Sequence, residues 1–207
     1  MTSLCQFLLF WIFHLLFRFL LRAKTNVPDG IVIEKDKPLI IAVNHPSRID
    51  PFLIGLLPWR VVKKLIPMYF LTANRYYRHW WLRIFIKPLG AYPLREKAWT
   101  LEEFLGSTLE KLNNGQKIMI FPEGQLTGAF NADNAKPGII YLAMKSGAQI
   151  LPVHLQGLFG ASFWDVVLRR RQVTLSIGEP FLFSKKISNN EEAVRASGEI
   201  MRAIYAL

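Results

Sequence analysis

The sequence is poor in residues that build covalent or metal-stabilised sites. Cys5 is the only cysteine among 207 residues, which excludes an internal disulfide and a cysteine-based zinc site. No G-x-S-x-G pentapeptide occurs, so the chain lacks the strained turn that exposes a serine nucleophile. Internal repeats and low-complexity tracts are also missing. A chain of this length supports one substantial core, and we expect one globular domain, residues 25–207, behind an amino-terminal helix, residues 1–24.

Acidic residues are scarce relative to basic ones. The chain has 15 Asp and Glu against 26 Lys and Arg, which gives a formal net charge of +11. This sign of charge favours anionic partners such as nucleic acid, anionic lipid or phosphorylated small molecules. Residues 74–87 interleave Tyr and Trp with Arg and Lys, a mixture typical of the lipid headgroup region. We therefore expect a membrane surface as partner and no nucleic acid, while a basic face on a core helix remains an alternative for this segment.

The amino-terminal segment is strongly apolar. Residues 4–21 read LCQFLLFWIFHLLFRFLL, with His14 and Arg18 interrupting the run. The absence of positive charge before the run and of a small-residue cleavage site after it disfavours a signal peptide. We expect a membrane-associated amphipathic helix that lies in one leaflet, with its basic end at the headgroups of the cytoplasmic face. A transmembrane span and a buried core helix are the alternatives.

The rest of the chain alternates strand-like and helix-like segments. Strands are predicted at Pro38–Val43, Leu65–Leu71, Leu89–Leu94, Lys117–Phe121, Gln149–Leu155 and Gln172–Ile177. Helices are predicted at Pro51–Leu57, Ala73–Ile86, Thr100–Asn113, Pro137–Ser146 and Asn190–Ala206. This alternation predicts an α/β fold, with a mostly parallel central sheet flanked by helices. Functional sites in such sheets lie beyond the carboxyl ends of the strands.

A compact pair of polar residues follows the first of these strands. The heptapeptide NHPSRID sets His45 and Asp50 five positions apart across a predicted strand-to-helix turn. A carboxylate at this spacing can accept a hydrogen bond from one ring nitrogen, which leaves the other nitrogen free to take a proton from an alcohol. The alternative is a structural histidine beside an aspartate that caps the helix.

Two further motifs are expected near the same edge of the sheet. Glu123 and Gly124 of FPEG directly follow the strand Lys117–Phe121, and Arg95 ends the motif GAYPLR. A carboxylate there can hold an arginine or bind a substrate hydroxyl, and a guanidinium suits phosphate. Each also has a plain alternative, a turn residue for Glu123 and a solvated charge for Arg95. In ILPVHLQG, Pro152 predicts an edge strand or an irregular strand, and His154 is expected to be structural.

Four of these segments together resemble a known family. NHPSRIDPF, GAYPLR, FPEGQLT and ILPVHLQG occur in the order and spacing of the four blocks of glycerolipid acyltransferases, which include the 1-acylglycerol-3-phosphate acyltransferases. The stretch from residue 135 to residue 157 also looks like the acyltransferase part of 2-acylglycerophosphoethanolamine acyltransferases. The resemblance covers most of the chain and is specific because the blocks occur together.

The resemblance implies a function and a set of roles. The implied reaction moves a fatty acyl group from acyl-CoA or acyl carrier protein to the free glycerol hydroxyl of a lysophospholipid, with 1-acylglycerol-3-phosphate as first choice. It implies no cofactor or metal beyond the thioester co-substrate. His45 is implied as the base and Asp50 as its orienting partner. The implied acceptor site comprises Arg95, Glu123, Gly124 and Lys136.

One departure from the family pattern leaves the acceptor open. The family block usually continues FPEG with a small residue, then Arg, then Ser, whereas this chain has Gln125, Leu126 and Thr127. The missing arginine removes one phosphate contact, for which Arg48, Arg95 and Lys136 are candidate replacements. Lysophosphatidylethanolamine or another lysolipid is therefore an alternative acceptor. A non-catalytic basic protein that binds lipid or nucleic acid is the alternative from another class.

Overall fold

The structure is a computed structural model that describes residues 2–94 and 98–207. Its helices are α1 (Thr2–Leu20), α2 (Asp50–Leu53), α3 (Trp59–Leu65), α4 (Asn74–Arg78), α5 (Trp80–Ile86), α6 (Leu101–Asn113), α7 (Gly138–Ser146), α8 (Phe163–Val167) and α9 (Asn190–Tyr205). Its strands are β1 (Lys24–Asn26), β2 (Leu39–Val43), β3 (Met68–Thr72), β4 (Ala91–Pro93), β5 (Lys117–Ile120), β6 (Gln149–Gln156), β7 (Thr174–Ile177) and β8 (Phe181–Leu182). Short 3-10 turns cover Ile54–Leu56 and Ala132–Asn134.

The strands form one mixed sheet in the order β1-β7-β6-β2-β5-β3-β4, with β8 also paired to β6. The block from β6 through β2, β5 and β3 to β4 is parallel throughout. Strands β7 and β8 run antiparallel to β6, and β1 runs parallel to β7. The prediction of a mostly parallel central sheet is therefore confirmed, and the carboxyl ends of β2, β5 and β4 share one edge.

Helices cover both faces of this sheet, and β2 shows how its sequence requires this. All five residues of β2 are buried, so neither face of the strand meets water. Leu39, Ile41 and Val43 belong to a cluster that includes residues of α1, α2 and α3. The alternate residues Ile40 and Ala42 belong to a second cluster, with α6, α7 and α9. Successive side chains of a strand point to opposite faces, so one apolar strand anchors both halves of the core.

Local signals place α6 and α7 where they were predicted. The Thr100 side chain accepts a hydrogen bond from the Glu103 backbone N–H (3.2 Å), which satisfies one free donor at the start of α6. The Glu103 carboxylate accepts a hydrogen bond from the Trp99 N–H rather than from that of Thr100, so only one of the two hydrogen bonds of a capping box forms. Helix α7 ends at Gly147, whose φ of +64° suits glycine because a side chain is disfavoured there.

Two predicted segments have a different structure. Leu65 ends helix α3, so the predicted strand Leu65–Leu71 begins only at Met68. Helix α3 is short and contains Val61 and Val62, whose β-branched side chains favour a strand, but both are buried at helical spacing with Leu65. The predicted helix Ala73–Ile86 is broken at His79, whose extended backbone (ψ 110°) separates α4 from α5.

Pro152 lies in the interior of the sheet, so of the two alternatives predicted for its strand the edge strand is wrong and the irregular strand is found. Strand β6 pairs with β2 on one side and with β8 and then β7 on the other. The Pro152 carbonyl accepts a hydrogen bond from Gly178 N–H, on the side away from β2. The ring nitrogen of Pro152 points to that same side, where β8 pairing ends at Ile150 and β7 pairing begins at Val153. Because its nitrogen faces away from β2, the proline removes no hydrogen bond between β6 and β2. Strand β6 is irregular at this point, where its neighbour changes from β8 to β7.

Helix α1 is fastened to the domain along one face. The Gln6 amide donates to the carbonyls of Met68 (2.6 Å) and Leu89 (2.8 Å) and accepts from Met68 N–H (3.1 Å). His14 Nδ1–H donates to the Gly55 carbonyl (2.9 Å), and Phe10 is buried in the core. The opposite face exposes large apolar side chains, namely Leu4, Phe7, Leu8, Trp11, Ile12, Leu15, Leu16 and Phe19.

Among the described residues, α1 is the helix whose hydropathy fits a membrane span. It is the one helix there with the length and apolar composition of a membrane span, and only 11% of its 18-residue apolar window is buried. The division of the chain into residues 1–24 and 25–207 stays a prediction. Phe10 and Leu21, from the first of these segments, pack in the same core cluster as β2.

Candidate active site

The site begins where β2 leaves the sheet, at Asn44. The Asn44 side chain donates to the Leu155 carbonyl (2.8 Å) and accepts from the Leu155 N–H (2.7 Å). These two bonds replace the backbone pairing that β2 and β6 lose beyond Val43, and they give both polar atoms of the buried amide a partner. Asn44 thus fixes the point at which the chain turns and presents the next residue, His45, at the rim of the sheet.

His45 and Asp50 form the predicted pair. Nδ1 of His45 lies 2.9 Å from Oδ2 of Asp50, which has no exposed side-chain area. The Asp50 carboxylate also accepts hydrogen bonds from the Ser47 backbone N–H (2.9 Å) and the Ser47 hydroxyl. Because a carboxylate can only accept, Nδ1 carries the proton and Nε2 is left as the basic nitrogen. The two Ser47 hydrogen bonds hold the Asp50 carboxylate in place, so it can orient the His45 ring.

The imidazole is held over an aromatic ring. The Phe121 and His45 ring centroids lie 4.0 Å apart with an interplanar angle of 17°. The His45 side chain is 20% exposed, so it reaches the surface although Phe121 covers one face of its ring. A ring held in this way can act on a bound group without a large change in its own position.

Glu123 lies beside His45 at the shared edge, as predicted, but its carboxylate faces inward. It has no exposed area. Oε2 accepts a hydrogen bond from the His45 backbone N–H (2.9 Å), and Oε1 accepts one from the Tyr205 hydroxyl (2.6 Å). Burial raises the pKa of Glu123, and the Tyr205 and His45 hydrogen bonds counteract that rise. With both oxygens engaged, the Glu123 carboxylate holds the His45 backbone. The acceptor-binding role of Glu123 stays a prediction.

The segment after Glu123 is tied back to the site. Thr127 N–H donates to the His45 carbonyl (2.9 Å), and Lys136 N–H donates to the Pro122 carbonyl (2.8 Å). Gly124 has φ +65°, and a side chain placed on it would come within 3.2 Å of Lys136 Cγ. The exposed Lys136 side chain therefore lies along the FPEG turn, so the predicted neighbours Gly124 and Lys136 are brought together.

The remaining predicted site residue, Arg95, lies outside the described residues. The strand before it, β4, is parallel to β3, and its carboxyl end lies at the edge that carries His45 and Glu123. The position of the strand is thus consistent with the expectation for GAYPLR. The acceptor-binding role of Arg95 stays a prediction.

His14 and His154 have structural surroundings, and no metal cluster is found in residues 2–94 and 98–207. His154 is buried with its ring 4.8 Å from that of Tyr205, and burial lowers its pKa. Across those ranges, no three His, Cys, Asp or Glu side chains are grouped so that they could hold a metal ion. The expectation that the protein uses no metal stays a prediction.

Sequence reasoning missed three contributors to the site. Asn44 and Phe121 are the first residues of the motifs NHPSRID and FPEG, so their places in these motifs were the available signal. Tyr205 had none, because it lies 82 residues from Glu123 in a helix whose pattern predicts only a buried face.

Comparison with known proteins identifies the family. A family model described as Acyltransferase matches residues 19–156, a range that contains His45, Asp50 and Glu123. The chain belongs to the Acyltransferase family. Its fold is that of a solved acyltransferase, the 1-acyl-sn-glycerophosphate (LPA) acyltransferase PlsC from Thermotoga maritima. The two align with a TM-score of 0.61 and 23% sequence identity over 95% of this chain and 79% of that chain.

Proposed function

We propose that this acyltransferase moves a fatty acyl group from a thioester, acyl-CoA or acyl carrier protein, to the free glycerol hydroxyl of a lysophospholipid. The observation that carries the proposal is the oriented imidazole of His45, whose Nδ1 bonds the buried Asp50 carboxylate and whose side chain is partly exposed. The resemblance of all four sequence blocks to glycerolipid acyltransferases supports the acceptor class. The activity named for the Thermotoga maritima protein favours 1-acylglycerol-3-phosphate as the first choice, in a step of phospholipid biosynthesis.

The proposed mechanism is a direct transfer. Nε2 of His45 takes the proton of the glycerol hydroxyl as its oxygen attacks the thioester carbonyl carbon. The C–O bond forms, and the carbonyl oxygen carries the negative charge of a tetrahedral intermediate. Collapse breaks the C–S bond, and the imidazolium returns its proton to the leaving thiolate. The products are an ester and a free thiol, and no acyl-enzyme is formed.

Lys136 is the described cation best placed for the acceptor phosphate. Its side chain lies along Gly124, one residue from the carboxylate that holds His45. An ammonium group there attracts a phosphate without the paired donors that an arginine would supply. Arg48, exposed in the turn between His45 and Asp50, and Arg95 are the other candidates. Since Leu126 stands where the family usually has arginine, lysophosphatidylethanolamine is the second candidate acceptor.

The proposed location is the cytoplasmic face of a membrane, with α1 in one leaflet. Gln6 and His14 bond the domain at points eight residues apart, about 12 Å along the helix. A helix fastened over that length cannot cross a bilayer without losing those bonds, whereas its free apolar face can enter one leaflet. Helix α5 adds the exposed residues Trp80, Trp81, Ile84 and Phe85.

The test is an acyl-transfer assay with purified protein in detergent. It crosses acyl-CoA and acyl carrier protein with 1-acylglycerol-3-phosphate, lysophosphatidylethanolamine and other lysolipids, and mass spectrometry detects the diacyl product. We expect product with at least one donor, fastest with 1-acylglycerol-3-phosphate. Faster reaction with lysophosphatidylethanolamine would reassign the acceptor. No product with any pair, together with vesicle or nucleic-acid binding, would support a non-catalytic basic protein instead.

A further inference from the structure

The end of helix α9 reaches into the site through Tyr205. The Tyr205 hydroxyl lies 2.6 Å from Oε1 of Glu123. The other oxygen of Glu123 accepts the His45 backbone N–H. A continuous path of two hydrogen bonds therefore joins the last turn of the closing helix to the backbone of the residue that carries the imidazole.

The ring of Tyr205 is held by contacts with two other rings. It packs against His154, with centroids 4.8 Å apart, and against Phe130 of the loop between Gly124 and Lys136, at 5.1 Å. Burial raises the pKa of Tyr205, as does the neighbouring Glu123, while a hydrogen bond with the Asn44 side chain lowers it. The phenol thus stays a neutral donor, and it lies where side chains from β2, β6, the FPEG segment and the following loop converge.

We propose that Tyr205 is a positioning residue for acyl transfer, which acts through Glu123 to hold His45 in place. The proposal rests on the proposed function, and Tyr205 itself has no contact with substrate in it. A fully buried carboxylate needs a partner for each oxygen. Loss of the Tyr205 hydroxyl leaves Oε1 without its donor, and the carboxylate is then free to shift together with the His45 backbone bonded to its other oxygen.

A pure packing role is the competing explanation, and the hydroxyl separates the two. Tyr205→Phe keeps the ring contacts with His154 and Phe130 and removes only the donor. The matched control is Tyr141→Phe in α7. The Tyr141 hydroxyl is also buried, but it has no hydrogen-bond partner in the part of the chain that the structure describes, so its removal tests the loss of a buried hydroxyl by itself.

The pH dependence gives a signature that packing would not produce. The groups that face Glu123 are His45 and Asp50 from the β2 turn and Tyr205 from α9. Tyr205 lowers the pKa of Glu123 while burial raises it. Without the Tyr205 hydroxyl, burial raises the pKa of Glu123 further, so the carboxylate takes up a proton at higher pH. If ionised Glu123 holds His45, the acid limb of the rate profile moves to higher pH in Tyr205→Phe.

The experiment compares wild type, Tyr205→Phe, Tyr141→Phe, Glu123→Gln and the Glu123→Gln/Tyr205→Phe double variant. We expect Tyr205→Phe to lower kcat about tenfold, which corresponds to roughly one unsatisfied buried acceptor, with KM nearly unchanged and the acid limb moved upward. Tyr141→Phe should match wild type. Because Tyr205 acts through Glu123, the double variant should be no slower than Glu123→Gln alone. An unchanged kcat, an unmoved acid limb or additive losses would overturn the proposal.

A second readout works without substrate. Amide hydrogen exchange at His45 should be severalfold faster in Tyr205→Phe than in wild type and Tyr141→Phe, since the N–H bonds the carboxylate that Tyr205 steadies. Equal exchange in all three proteins would overturn the role of Tyr205. If wild type transfers no acyl group to any acceptor, the proposed function fails, while this comparison still decides whether Tyr205 holds His45.

Discussion

At the residue scale, the chemistry depends on which nitrogen of His45 carries a proton. Asp50 fixes that choice because its buried carboxylate can only accept from Nδ1. Ser47 supplies two further donors to the same carboxylate, so Asp50 cannot turn away from the ring. The base proposed for acyl transfer therefore has a fixed tautomer and a fixed ring plane, which Phe121 supports from one face.

Asp50→Asn should remove this control while the fold survives. An amide has nearly the same shape, but its NH₂ group can face Nδ1 and favour the wrong tautomer. We expect kcat to fall by about 10²- to 10⁴-fold, the range for loss of general-base catalysis, with circular dichroism and the melting temperature little changed. Steady-state kinetics measure the effect, and a variant within a few-fold of wild-type kcat would argue against an orienting role for Asp50.

Glu123 gives a residue-scale prediction about stability and pH. Burial raises its pKa, so between its ordinary pKa and the raised value the folded protein binds more protons than the unfolded chain. Stability therefore falls as pH rises through that window. Glu123→Gln lacks this titration, and its Gln side chain can still accept from His45. The melting temperature of Glu123→Gln relative to wild type should increase from acid to neutral pH, and a difference that does not change with pH would contradict the assignment.

At the scale of elements, the best-predicted segments are those whose local signals agree with their tertiary contacts. Strands β2 and β5 are short apolar runs, and α6 carries a cap at Thr100 and a glycine after its end. Segments with conflicting signals were not predicted correctly. In α3, for example, the valines favour a strand, whereas the buried residues have helical spacing. The short strands β1 and β8 have no periodicity to read, because their backbone pairing rather than their side chains defines them.

The same logic explains what could be foreseen of the site. His45, Asp50 and Glu123 lie in local motifs at the ends of neighbouring parallel strands, so strand order alone brings them together. Tyr205 reaches Glu123 through the packing of α9 on the sheet, and no local pattern encodes that contact. Gly90, outside the site, is another residue whose contacts no local pattern encodes. Its φ of +97° and its missing side chain make room for the Met68 carbonyl and the Gln6 amide.

The two faces of α1 should respond differently to substitution. Gln6→Ala removes three hydrogen bonds on the docked face and should destabilise the protein by about 2–4 kcal/mol, because buried backbone groups lose their partners. Leu8→Ser with Leu15→Ser, on the exposed face, should leave stability nearly unchanged and weaken vesicle binding. Denaturation in detergent and vesicle co-sedimentation measure both effects. The same response from both faces would contradict the docked arrangement.

At the scale of the whole molecule, charge and apolar surface point to the same partner. A net charge of +11 favours an anionic surface, and the exposed apolar residues of α1 and α5 suit the proposed insertion into one leaflet. In the proposed location, the docked face of α1 holds the acyltransferase domain close to the lipid. The proposed lysolipid acceptor could then present its hydroxyl without leaving the membrane.

The orientation of α1 can be tested with a single thiol. In a Cys5→Ser background, Thr2→Cys marks the start of α1, and the protein is bound to the outside of sealed vesicles. A helix lying in one leaflet keeps residue 2 on the side of the domain, so a membrane-impermeant maleimide added outside should label it. Labelling that requires permeabilised vesicles would instead indicate a spanning helix.

The central claim is that His45 acts as the base, and the rate of acyl transfer by His45→Ala tests it most directly. The assay uses the best donor and acceptor pair of the wild type, with the melting temperature and vesicle binding of both proteins measured alongside. The expected result is a protein that is folded and still binds vesicles, with kcat lowered at least about 10²-fold. Wild-type kcat in the folded His45→Ala protein would contradict the account.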